Sequence, residues 1–480
     1  MPPATPVVKS TRETGRAAPD EDQARSVEAA ARWSRAIILL TALLVPLLFV
    51  PWFGDAFALP RLAALYLLVP LALGGPLAAL VLDPRALRAS LRPSDAAALA
   101  FGVLAVLATL VSAAPGHDLQ GEPLQYQGLL PLLLYLATYG VARFAVRDIR
   151  QVRRLFAAVV LTGAIAGAYA ILQQLRLDPI WHGLDKGRVF GTLGQADNLA
   201  AYLVLALPPA GALALIGRGR LRAGALVGFL LALAGLLLSY SRGGYLGAAA
   251  ELAVALAALV ALRWHRRGAG RTAVPWRRLG SAALGVVVVL LLVAAVPATR
   301  DVAVRAWQRA ASSANLQEGS IADRLDLWAV GARITLDHPL LGTGPDSYAL
   351  EFPAYRDTVL PRARAAFMAR FRPESPHDVY LAYSAGLGLP ALAAYLALIG
   401  GALAAAGRAL RRADPAVRVV VIALVAAIVG HLVTDAFMTG ELAGAWLFWA
   451  LLGIAVGLPR IVGGTLANGG PAAHTIGRHR

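Results

Sequence analysis

The chain has 480 residues, of which 58% are apolar and only 15% charged. Soluble domains hold about 25% charged residues and about 45–50% apolar ones with glycine included, so disorder, a solenoid and a water-soluble enzyme are excluded. The absence of cysteine removes disulfide frameworks, thiolate metal sites and thiol nucleophiles, and the net charge of +17 must be read by position, because membrane topology also consumes arginine.

Residues 1–34 mix Pro, Ala, Arg and Glu without a period and read as a disordered cytoplasmic tail. Stretches of about 20 mainly apolar residues, the length a span needs, then recur at 36–53, 61–82, 96–113, 126–146, 153–175, 197–216, 223–240, 243–262, 279–297, 379–405, 417–438 and 441–458. The polar leader of the first is too long for a signal peptide and no small-residue cleavage site follows, so it reads as an uncleaved helix. Nine spans thus fall within 35–297, a large loop occupies 298–378, three spans fill 379–458, and 459–480 is a second cytoplasmic tail. The expected fold is an all-α polytopic membrane protein with about 12 transmembrane helices and a large helical extracytoplasmic loop.

With the N-terminus in the cytoplasm, the inner segments hold 30 Lys/Arg against 9 Asp/Glu, and the outer ones 15 against 18. The positive-inside rule therefore puts both termini in the cytoplasm. The basic excess reports topology and anionic inner-leaflet lipids, and is no sign of nucleic acid.

Polar information concentrates in four outer segments. Residues 176–198 carry Arg188 beside glycines 187, 191 and 194, which permit tight turns, and Asp197 or Asn198 can cap the next span. Ser239-Tyr240-Ser241-Arg242-Gly243 is a short turn with one arginine. Within 298–378, Ser320 can cap a helix with apolar positions at Ile321, Leu325, Trp328, Ile334 and Leu336. His338-Pro339 stops it, and residues 356–372 read as a further helix along the membrane surface. That loop holds ten arginines and ten acids, so any anion site on it is local. Glu374-Ser375-Pro376-His377-Asp378-Val379-Tyr380 leads back into the membrane. Guanidinium forks suit phosphate oxygens, and a neutral histidine can act as a base near pH 7. Together they suggest a lipid-diphosphate substrate handled at the outer surface.

These segments resemble a known family. Arg188-Val-Phe-Gly-Thr-Leu-Gly-Gln-Ala-Asp-Asn198 is similar to the "R-x-x-G-T-F-x-N-P-N" segment of O-antigen ligases and O-antigen polymerases. Ser241-Arg242-Gly243 resembles their "S-R-(G/S/A)" turn. Arg324 through Trp328 with Asp337-His338-Pro339-Leu340-Leu341-Gly342-Thr343-Gly344 resembles their "R…W…D-H-P-L-L-G-x-G" run, and Ser375-Pro376-His377-Asp378-Val379-Tyr380-Leu381 their "H-N-x-Y-L". The resemblance implies a GT-C-like, metal-independent, inverting glycosyltransferase of the bacterial inner membrane, without cofactor. It would take a glycan from undecaprenyl diphosphate on the outer face and pass it to a glycan, lipid or protein acceptor in cell-surface polysaccharide biosynthesis, such as that of lipopolysaccharide. A polymerase of the same family is the alternative. The resemblance further implies His377 as base and Arg188, Arg242 and Arg324 as diphosphate ligands. Two positions depart from the pattern: Asp378 stands where Asn is usual, and Gln195-Ala196-Asp197 replaces an Asn-Pro run and leaves Asn198.

Competing readings attach to several residues. His377 can be an interfacial histidine, Arg188 a snorkelling arginine at the interface, Arg242 the anchor of a turn, and Arg324 a surface partner of Asp323 or Asp326. Glu251 is an acid inside a span, functional by default or simply bonded to a neighbour. His431 and Asp435 are one helical turn apart and can pair. Trp33, Trp52 and Trp446 read as interface belts. No outer His/Cys cluster suggests a metal. A membrane transporter is the rival class, but transporters gather polar groups near the midplane, and here they gather at one surface.

Overall fold

The computed structural model describes residues 21–84, 90–181, 184, 187–264, 304, 308 and 319–468. The expected span 279–297 and the start of the large loop lie outside them. The described chain is helical: α1 Glu21–Leu44, α2 Ala58–Leu82, α3 Pro93–Val111, α4 Pro115–Gln120, α5 Leu129–Ala145, α6 Ile149–Gln174, α7 Ala196–Ile216, α8 Gly219–Leu238 and α9 Arg242–Trp264. After the undescribed stretch come α10 Gly319–Asp337, α11 Tyr348–Val359, α12 Arg362–Met368, α13 Val379–Leu387, α14 Leu389–Arg412, α15 Pro415–Asp435 and α16 Leu442–Asn468. Among the described residues nine helices are long and apolar enough to cross a membrane, and α5 is a shorter apolar one.

Lipid gives helices little hydrophobic reason to associate, so packing rests on close approach of small residues. The central helix α7 shows this, with every residue from Leu199 to Leu207 buried. A Cβ on Gly163 would meet Ala206 at 2.8 Å, and one on Gly167 would meet the backbone oxygen of Leu231 at 2.2 Å. Helices α6, α8, α9 and α15 surround α7 through such contacts.

Several boundaries differ from the sequence reading. Helix α1 starts at Glu21, inside the expected tail 1–34. Its middle is held by α2, where Ser34 Oγ donates to Ala72 O at 2.7 Å and Trp33 Nε1 to Leu71 O at 2.9 Å. Helix α16 likewise runs to Asn468, past the expected end of the last span. Trp446 belongs to the core rather than an interface belt, with 1% of its surface exposed. The expected surface helix at 356–372 is two helices, α11 and α12, separated at Leu360-Pro361.

The expected single span 379–405 is broken at Gly388, which has φ +87°. There the large loop crosses the half-helix α13. Thr343 N–H donates to Ala385 O at 3.0 Å, Gly344 N–H to Gly386 O at 2.9 Å, and Leu389 N–H to Pro339 O at 2.8 Å. A Cβ on Gly388 would stand 2.3 Å from Leu340 O. The loop has its own small core of Leu327, Val330, Ile334, Tyr348, Phe352 and Met368. Arg364 clamps α12 to α10 by donating to Asp323 and Asp326, each at 2.6 Å.

Candidate active site

The connections 48–57, 112–128, 187–195, 239–241 and 436–441 meet the loop 319–378 at one end of the bundle. Each is fixed by backbone groups captured by a side chain. Gln173 Oε1 accepts from Phe190 N–H at 3.0 Å and Gly191 N–H at 2.8 Å, which sets the turn after Arg188. The Arg61 guanidinium donates to Leu193 O at 3.1 Å and to Thr192 O. Asp346 Oδ2 accepts from Glu122 N–H at 2.8 Å and Gln127 N–H at 3.1 Å, tying 112–128 to the large loop. Burial pushes the Asp346 carboxyl up to about 7, against the pull of those two amides. His117, Glu122 and Arg372 continue the junction, with Arg372 and Glu122 3.2 Å apart.

These pieces enclose a cavity of about 310 Å³ whose walls include Arg61, Asn198, Glu374, His377, Thr439 and Glu441. That is near the lower end of typical ligand-pocket volumes, about 300–1,000 Å³. His377 sits at φ +53°, a left-handed conformation uncommon outside glycine and costly unless the surroundings impose it. Its N–H donates to Ser375 Oγ at 3.2 Å, and its Nδ1 lies 3.4 Å from Thr439 Oγ1. The ring is thereby turned into the cavity.

Arg61 and Glu441 were not expected at the site. Arg61 has 2% of its surface exposed, and its Nε has no hydrogen-bond partner. Among the described residues no carboxylate lies within ion-pairing distance of it, although Glu441 and Asp55 act on it from farther away. A buried cation without a close counter-ion is costly, so this guanidinium is poised for an anion. Glu441 Oε1 accepts from Ala443 N–H at 2.8 Å and Oε2 from Gly444 N–H at 2.5 Å, capping α16. Burial pushes its carboxyl up to about 7, with the Arg61 charge opposing. In sequence, Arg61 is one arginine at the start of a span and reads as an anchor. Glu441 follows a glycine just before an apolar run, which is a helix-start signal only.

The other expected residues are placed as follows. Arg188 makes a fork on Asp197, with Nη1–Oδ1 at 3.3 Å and Nη2–Oδ2 at 3.1 Å. The Ser241 hydroxyl also binds Asp197, and the Arg324 charge reaches it. Arg188 and Arg324 thus converge on the residue preceding Asn198, which faces the cavity. Arg242 opens α9, where Gly243 packs against Phe437. None of the three arginines lines the cavity itself. Asp378 caps α13, accepting from Leu381 N–H at 2.8 Å, and burial raises its carboxyl. Glu251 lies inside the bundle against Gly430, and its Oε1 is unbonded. His431 Nε2 lies 3.5 Å from Asp435 Oδ1, and both are buried. Among the described residues no group of three or more His, Asp or Glu is placed to hold a metal ion.

Residues 227–396 match the family described as O-Antigen ligase. The matched stretch contains Arg242, Glu251, Arg324, His377 and Asp378, while Arg61, Arg188, Asn198 and Glu441 lie outside it. No curated protein matches the chain.

Proposed function

We propose that the chain, whose residues 227–396 match the family described as O-Antigen ligase, is a membrane glycosyltransferase that moves a glycan from undecaprenyl diphosphate to a hydroxyl acceptor. The arginine asymmetry between the two ends of the bundle supports a reading in which the His377 end lies outside the cytoplasm. One observation carries the reading: separate stretches of chain bring the single histidine His377, the buried Arg61 and Asn198 into one cavity.

The transfer forms a bond between the acceptor oxygen and the anomeric carbon, and breaks the bond from that carbon to the diphosphate. The diphosphate leaves as an anion and needs no proton if cations neutralise it. Arg61 meets it from the cavity wall, and the arginines grouped at Asp197 and at the start of α9 lie behind. The acceptor hydroxyl must lose its proton as it attacks, which calls for a base in reach. His377 Nε2 takes that proton while Thr439 steadies Nδ1. Attack opposite the diphosphate inverts the anomeric centre. The chemistry asks for no metal ion, since guanidinium groups supply the charge.

The test uses purified protein, labelled carrier-linked glycan and a panel of sugar, lipid and peptide acceptors. His377→Ala is expected to keep carrier binding and cut transfer by about 10²–10⁴, the usual worth of a general base. Near-normal turnover in His377→Ala would show that the base lies elsewhere. The acceptor that becomes labelled separates a ligase from a polymerase.

A further inference from the structure

At the opposite end of the bundle a second cavity, of about 870 Å³, runs between α2, α3 and α5. Its lining is mostly apolar and unpartnered, with Leu99, Val103 and Leu107 exposed along one face of α3. From Asp95 to Leu107 that face spans thirteen residues, twelve steps or about 18 Å at about 1.5 Å per residue. One leaflet of hydrocarbon is about 15 Å deep, half of the roughly 30 Å core. The groove thus has the length of one acyl chain.

One end of it is basic. Arg143, Arg147 and Arg460 line it, and the charge of Arg92 reaches Arg460 as well. Arg35 lies alongside, sharing Glu28 with Arg147 at 2.7 and 3.1 Å. Against these five guanidinium groups stand the carboxylates of Glu28, Asp83 and Asp95. The Arg143 Nε is buried without a hydrogen-bond partner, with Asp95 Oδ1 3.7 Å away. Basic pockets between transmembrane helices bind lipid phosphates, and a guanidinium fork suits that geometry.

We propose that this groove holds an anionic phospholipid, with its phosphate on Arg143, Arg147 and Arg460 and an acyl chain along α3. The net positive end favours an anionic headgroup over a zwitterionic one, and the apolar face beyond it accepts the chain. The site is separate from the His377 cavity and does not depend on the reaction proposed there. A bound lipid would fill the space that α2 and α5 leave open beside α3.

Delipidated protein titrated with phosphatidylglycerol or phosphatidylcholine, and read by native mass spectrometry, tests this. Phosphatidylglycerol is expected to be retained about tenfold or more over phosphatidylcholine, at about fivefold per arginine engaged. Arg147→Gln with Arg460→Gln should abolish the preference. Gly140→Phe is a second, independent variant: Gly140 lines the groove and a Cβ there meets nothing within 4 Å, so the ring should fill the groove and weaken retention of both lipids without disturbing the fold. Equal retention of the two lipids by the unaltered protein would overturn the proposal. So would a preference that survives the double substitution, or unchanged lipid retention in folded Gly140→Phe. Displacement of phosphatidylglycerol by equimolar undecaprenyl monophosphate would assign the groove to the carrier lipid and overturn it too.

Discussion

Replacing Arg61 with Gln separates anion binding from folding. The side chain donates charged hydrogen bonds to the Thr192 and Leu193 carbonyls, each worth about 1.5–3 kcal/mol. Its guanidinium also lies 5.7 Å from the Phe57 ring centre, a contact worth about 0.5–2 kcal/mol. Against this stands the cost of holding a cation that is 2% exposed with no close counter-ion, several kcal/mol per buried ion. Gln removes that cost and keeps one amide donor for the carbonyls, so folding stability should move by only about 2 kcal/mol. The donor diphosphate has no such compensation. Losing one charged contact costs about 1.5–3 kcal/mol, which weakens binding about 10- to 150-fold. Undecaprenyl diphosphate affinity and thermal unfolding should be measured on the same preparations, with Arg61→Lys alongside, which keeps the charge without the fork and should recover only part of the affinity. Carrier affinity within threefold of the unaltered protein in folded Arg61→Gln would refute the reasoning. So would an affinity loss that merely tracks a collapse of thermal stability.

Three further outcomes are expected. Asp346 has its carboxyl raised to about 7 in the fold from an ordinary 3.8, so its contribution to stability is fully present below about pH 4 and is lost as pH rises through about 7. Both of its hydrogen bonds fall on Oδ2, which Asn can reproduce, so Asp346→Asn should flatten part of the loss between about pH 4 and 7, leaving the share of Glu441; an unchanged slope rejects the assignment. Gly388→Ala should cost more than Gly187→Ala. Both have positive φ, but only at Gly388 does a Cβ meet backbone, at 2.3 Å, while at Gly187 it meets nothing; equal melting points would show that the contact is soft. Because the chain has no cysteine, single introduced thiols report topology cleanly. In intact cells an impermeant maleimide should label Thr358→Cys, exposed on α11, and not Ala416→Cys, exposed at the other end; the reverse pattern would put the His377 cavity in the cytosol.

Much of the bundle was legible in the sequence because lipid imposes a strong constraint, runs of apolar residues about 20 long. The helix end at His338-Pro339 was legible as well, since proline cannot continue a helix. The break at Gly388 was not, because 379–405 is apolar throughout and the reason for the break is the backbone of Leu340, far away in sequence. Leu389-Pro390 did carry a weak sign, proline in the first turn of a new helix. At the site, His377 and Asn198 stood out through motif resemblance. Arg61 did not, because its burial is created by the 190–195 turn folding over it. The pairing of Arg364 with both Asp323 and Asp326 was not legible either, because Arg364 reaches the two acids from α12, 41 and 38 residues farther along the chain.

The backbone ladder that joins 339–344 to 385–389 bears on how such proteins can be recombined. Hydrogen bonds from Thr343, Gly344 and Leu389 make the large loop and the nine residues of α13 one unit. A chimaera cut at the obvious border between residues 378 and 379 would sever that unit and set Gly342 and Gly388 against foreign backbone. The transplantable cassette ends instead after Leu389, so an acceptor preference residing on the loop is inherited only together with the half-helix behind it.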